Sequence, residues 1–247
     1  MKKYLTEVQS ALKKLRGAPQ PSKYLPENYI GSEYKYYEHY NIRVPVIRKL
    51  GQQGFSFSEF SIKEQWKIWD YIWQNSDVFD LSLIAIHFVN KRPIEELYSN
   101  RKKLLRWVKR IDNWALSDEY SNVMAKLNEY KSAEFKSIFD KWNNSSNPWE
   151  RRASMVGLQY YSQMRKKYVP YKTIIKMVDP HLEDNHYYVQ KAVGWTLREC
   201  WNVYPKQTYE YLQKNAHLIP TGGWTAATEK LSKRDKGRLT KLRKKLK

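Results

Sequence analysis

Trp114 and Asp118 stand four residues apart in the stretch Asp112-Asn113-Trp114-Ala115-Leu116-Ser117-Asp118. On a helix, that spacing puts an indole and a carboxylate on one face. Asp112 or Asn113 is suited to cap such a helix, its side-chain oxygen accepting a first-turn N–H, so both groups fall within the first turn or two. The helix dipole favours the charged form of an acid there. An ionised acid beside a large π-face attracts a cation through both the charge and the ring quadrupole. The plainer reading is a core aromatic followed one turn later by a solvated acid, and the heptapeptide by itself favours that one.

The elements that must position these residues are helical. Apolar residues Tyr4, Leu5, Val8, Leu12 and Leu15 recur at helical spacing over 3–16, ahead of Gly17 and Pro19. Residues 24–48 are looser, with Tyr34, Tyr36, Tyr37 and Tyr40 clustered among Pro26, Gly31 and Pro45. They read either as an aromatic-packed loop or as a tyrosine-lined edge of a nucleic-acid groove, with Tyr36 and Tyr37 as the contacts. Pro45 opens the next helix, and Ser61 or Ser58 one whose Trp66, Trp69, Ile72 and Trp73 form a core stripe. Helices are expected at 77–90, 93–110, 120–130, 133–142, from Trp149, at 171–178, 187–204 and 206–215. No alternating strand run stands out. The fold class is all-α.

Trp114, Arg152 and Trp195 follow polar turns about 38 and then about 43 residues apart, near the period of helical-pair solenoids. Such repeats stack into a curved body with one concave face, so the expectation is a single helical-repeat domain over 1–247 with a basic concave side. Residues 229–247 carry ten Lys and Arg against two acids, with Leu239, Leu242 and Leu246 at helical spacing. They read as a basic helix or frayed tail.

Composition narrows the partners. Forty-five Lys and Arg against 25 Asp and Glu give a net charge of +20, which implies a polyanion, nucleic acid before anionic membrane. Ten Trp and twenty Tyr exclude a disordered basic tail and supply faces on which bases stack. A lone cysteine, Cys200, excludes an intramolecular disulfide, and the five histidines are not clustered with it at zinc spacing. The expectation is a cytoplasmic, nucleoid-associated bacterial protein with no cofactor, no metal and no membrane span.

The segments Asp112-Asn113-Trp114 to Asp118, Trp149-Glu150-Arg151-Arg152-Ala153 and Lys191-Ala192-Val193-Gly194-Trp195-Thr196-Leu197-Arg198-Glu199 resemble, in order and spacing, the AlkD-type DNA alkylation repair glycosylases. Val44-Pro45 to Arg48 and Tyr29-Ile30-Gly31 to Tyr36-Tyr37 are similar to that family's N-terminal region. The resemblance implies HEAT-like repeats, Asp118 as catalytic carboxylate, Trp114 and Trp195 flanking the lesion nucleotide, and Arg152 holding DNA. Lys191 and Arg198 are further phosphate candidates, although Arg198 is equally suited to pair with Glu199. Two positions depart from the family pattern: Ala115 stands where a second acid is common, and Ser117 where an apolar residue is common.

The implied substrate is duplex DNA bearing an N3- or N7-alkylated purine, whose positive charge already weakens its glycosidic bond. A carboxylate that stabilises an oxocarbenium-like sugar and presents water is then sufficient. No lysine is marked as a Schiff-base nucleophile, so the enzyme implied is monofunctional. A monomer is the simplest arrangement. A non-catalytic nucleic-acid-binding repeat module and a scaffold for acidic proteins are the rival readings.

Overall fold

A computed structural model describes residues 1–17 and 38–246. Tyr36 and Tyr37 therefore lie outside the described residues. Among those described, the chain forms α-helices joined by short turns and 3-10 segments, with one isolated parallel bridge between Glu38 and Val78. Contacts cluster into two compact units, Met1–Val123 and Met124–Lys247.

In the first unit, α1 (Lys2–Lys14) and α2 (Val44–Gln53) precede α3 (Ile62–Asn75) and α4 (Phe79–Asn90). Pro45 sits in the first turn of α2, where its missing N–H costs nothing, and Gly54 closes that helix at φ 82. Ser61 caps α3 by accepting from the Glu64 N–H while its own hydroxyl reaches the Glu64 carboxylate. The tryptophan stripe is core, as its spacing predicts: Trp66, Trp69 and Trp73 are buried. Trp73 stacks on Trp107 with centroids 4.3 Å apart and donates to the Trp107 carbonyl, while Trp107 donates to Asp70.

The segment expected as one helix over 93–110 is instead α5 (Ile94–Ser99), α6 (Arg101–Trp107) and a 3-10 turn. The break falls at Asn100, whose side-chain amide bonds back to the Glu96 carbonyl and whose oxygen accepts from Lys103. Such local side-chain bonds compete with helix continuation and carry no periodicity. Then comes α7 (Trp114–Tyr130), the helix that carries Asp118.

The second unit holds α8 (Ser132–Asn143), α9 (Pro148–Val156), α10 (Tyr171–Val178), α11 (Tyr187–Val203), α12 (Pro205–Asn215), α13 (Thr221–Ala227) and α14 (Lys233–Leu246). The basic tail is thus a docked helix. Ser232 caps it, Leu239 is buried, and Arg243 donates to the Ala216 and Ile219 carbonyls while lying 4.7 Å from the Trp224 ring centroid. The lone thiol, Cys200, is buried under α12 and accepts from the Thr208 hydroxyl, and burial pushes its pKa up to about 11.

Helix α13 is absent from the sequence reading, because Pro220-Thr221-Gly222-Gly223 looks like a stop. Its glycines serve contact instead of termination. A Cβ on Gly194 would fall 2.1 Å from the Gly223 carbonyl oxygen, and one on Gly223 would fall 2.5 Å from the Gln190 carbonyl oxygen, so α11 and α13 meet backbone to backbone. We therefore expect Gly194→Ala to lower the free energy of urea unfolding by about 1–3 kcal/mol, the range for overpacking a filled core. Gly237→Ala, on α14 with nothing within 4 Å of the added carbon, should raise it by about 0.5–1 kcal/mol.

Candidate functional site

Two residues had equal claim to the N-terminus of α7, and the structure separates them. The Asn113 side-chain oxygen accepts the Leu116 N–H at 2.9 Å, while its amide donates to the Asp112 carboxylate at 3.0 Å. Asn113 is fully buried, so the cap is shielded from competing water. Leu116, Ser117 and Tyr120 turn into the core, and the Tyr120 hydroxyl donates to the Leu104 carbonyl. The half-buried positions Trp114, Ala115, Asp118, Glu119 and Asn122 then form one face. Indole and carboxylate stand one turn apart on it, and Ala115 adds no charge beside them.

Sequence reasoning passed over Glu119, the next residue. Its Oε1 lies 3.3 Å from Arg48 on α2 and 3.5 Å from His87 Nε2 on α4, and its Oε2 accepts from Asn90 at 2.9 Å. Asn90 also donates to the Glu119 main-chain carbonyl, at 3.2 Å, and accepts from Asn122 at 2.8 Å. Burial raises the Glu119 pKa, but the nearby His87 and Arg48 outweigh it and hold the carboxyl below the usual range. This cluster fastens the half-buried face of α7 to α2 and α4. Arg48 falls in the Val44-Pro45 to Arg48 segment, which was the only hint of it in the sequence.

The second unit carries the other expected site residues, and it holds most of them in internal contacts. Arg152, on α9, is 3% exposed, and its Nη1 donates to the Tyr188 carbonyl at 2.7 Å. Lys191 is half-buried in the second turn of α11. Trp195 stacks on Tyr160 at 5.5 Å with 15° between planes and meets Tyr161 at 5.4 Å. Arg198 lies 4.3 Å over the Trp195 ring and pairs with Glu199 and Glu229, both at 3.1 Å. Of the two readings open for Arg198, pairing with Glu199 is therefore the one observed. Glu199, almost fully buried, also accepts the Ser162 N–H and hydroxyl at 2.8 Å and the Asn202 amide at 3.2 Å. Tyr161, next to Ser162, is held at φ 46, in the left-handed region, with its ring exposed. Among the described residues, no three His, Cys, Asp or Glu side chains gather where they could hold a metal, and no helix is long and apolar enough to cross a membrane.

The family model for "DNA alkylation repair enzyme" matches residues 18–231, most of the chain. The chain belongs to the DNA alkylation repair enzyme family. Its solved structural relatives include a predicted DNA alkylation repair enzyme from Enterococcus faecalis, at TM-score 0.65 and 17% identity over 80% of this chain and 90% of that one. They also include AlkD2 from Streptococcus mutans, at TM-score 0.54 and 18% identity over 99% of this chain and 97% of that one. A search of curated proteins returned no match. At these identities the structural likeness establishes the all-α helical-repeat fold of this alkylation repair family member.

Because Glu119 has a lowered pKa when folded, its contribution to stability is fully present above its ordinary value of 4.5 and is lost as pH falls through the folded value. Glu119→Gln should therefore be less stable than the wild type near neutral pH, by about 1–3 kcal/mol for the lost charge-assisted bonds. That gap should close as pH falls below 4.5 in a series of urea unfolding curves.

Proposed function

We propose that the protein is a monofunctional DNA glycosylase that hydrolyses the N-glycosidic bond of N3- or N7-alkylated purines in duplex DNA. The observation that carries this reading is the Trp114–Asp118 pair, one turn apart on the half-buried face of a helix start capped by a buried Asn113, in a chain of the DNA alkylation repair family.

The chemistry follows from the lesion. Alkylation at N3 or N7 gives the purine a formal positive charge. When the C1′–N bond breaks, its electron pair passes to the ring and the base departs neutral, so no acid is needed to protonate the leaving group. Positive charge moves to the sugar as an oxocarbenium ion. Asp118 lowers the energy of that ion and orients a water toward C1′, taking up the proton released as the water adds. Trp114 supplies a π-face that prefers the cationic base over a neutral one, by about 0.5–2 kcal/mol.

Trp195, already against Tyr160 and Arg198, flanks the lesion nucleotide by packing against sugar more than by offering an open ring face. Lys191 takes the phosphate contact. Arg152 and Arg198, held by Tyr188, Glu199 and Glu229, keep α11 in place. The net charge of +20 supplies the sequence-independent attraction to DNA, with the basic residues of α14 contributing.

The test is release of free base from duplex DNA containing N7-methylguanine or N3-methyladenine. Asp118→Asn should slow release by about 10²–10³-fold, the cost of removing one transition-state partner, while duplex binding persists and weakens steeply with added salt. If the wild type releases no base from either lesion but binds duplex with that salt dependence, the protein is a binding module and the glycosylase reading fails.

A further inference from the structure

A cavity of about 420 Å³ opens in the second unit, and the proposed repair chemistry makes no use of it. It lies where the C-terminal end of α7 meets the starts of α8 and α10 and the 165–170 segment. Its volume is within the roughly 300–1,000 Å³ of small-molecule sites.

One wall is cationic. The Arg165 side chain is 5% exposed, yet its Nε has no hydrogen-bond partner among the described residues. Its one ion-pair neighbour among the described residues, Glu129, is 3.8 Å from Nη1, beyond hydrogen-bond reach. The other Glu129 oxygen is occupied by the backbone N–H groups of Lys166 and Lys167. Burial lowers the Arg165 pKa and Glu129 only partly offsets this, the mark of a desolvated cation short of a partner.

Two further features point the same way. Ser132 and Ala133 open α8, and Pro170 and Thr173 lie at the start of α10; all four line the cavity, and neither helix start has a side-chain cap. Two helix N-termini thus add about half a positive charge each. With Arg165 and Lys167 set against Glu129, and Lys136 neutralised by Asp140 at 2.7 Å, the wall carries about +2. The lining also includes the exposed residues Tyr130 and Tyr168 and the apolar side chains of Leu158, Val169 and Met177.

We propose that this cavity binds a small phosphate monoester carrying a flat ring, of nucleoside monophosphate size. The dianionic phosphate sits on Arg165 and the starts of α8 and α10, and the ring lies against Tyr168 and Tyr130. A phosphate monoester carries about −1.5 to −2 at neutral pH, which matches the wall. This site is independent of the glycosylase reading.

Calorimetric titration of the full chain with adenosine 5′-monophosphate, adenosine and inorganic phosphate tests it. Saturable one-to-one binding of the monophosphate is expected, with adenosine and inorganic phosphate each weaker by about tenfold or more. Arg165→Lys should weaken the monophosphate by about tenfold and leave adenosine unchanged. Tyr168→Ala, at an exposed position that leaves the fold intact, should weaken both nucleoside ligands. Three results would overturn the proposal: no saturable monophosphate binding, equal affinity for the monophosphate and either fragment, or wild-type affinity in both variants. If Arg165→Lys fails to fold, as judged by circular dichroism, the fragment comparison and Tyr168→Ala decide.

Discussion

One buried hydrogen bond, from the Leu116 N–H to the Asn113 side chain, sets where α7 begins. Everything on the half-buried face of that helix inherits its angular position from this cap. Turning the helix by one residue would swing Trp114 and Asp118 together by about 100°, away from the half-buried face they now share. The Glu119 cluster ties the same face to α2 and α4, through Arg48, His87 and Asn90. The role proposed for Asp118 depends on this double constraint, because loose positioning of an acid is lost rate.

The second unit solves a different problem, the packing of aromatic and cationic side chains without stranding charge. Arg198 lies against the Trp195 ring while its nitrogens meet Glu199 and Glu229, and Glu199 in turn accepts from Ser162 and Asn202. Arg198 and Glu199 each have several hydrogen-bond partners, the condition under which burying an ion is tolerable. Arg165 has no such set of partners, and it lines a cavity.

What could be read in the sequence was local. Helix starts at Pro45 and Ser61, the tryptophan stripe of α3 and the helical spacing of Trp114 and Asp118 all depend on neighbours within a few residues. What escaped reading was set by distance along the chain. Glu119 meets Arg48 across 71 residues, and Gly194 meets Gly223 through a backbone approach that no periodicity encodes. Arg165 is one of 45 basic residues, and nothing in its sequence neighbourhood marks it as a buried cation lining a cavity. The Gly-Trp element that carried the family resemblance has its glycine for packing, a reason its spacing could not disclose.

The solitary thiol also has a use. Cys200 is buried beneath Thr208, with its pKa raised to about 11, so in the closed protein it is protonated and shielded from reagents. A thiol probe can reach it only when the segments packed around it, α10 and α12 among them, part. The chain therefore carries a built-in clock for the opening of its second half, one that reads how often those helices part with no label or introduced cysteine.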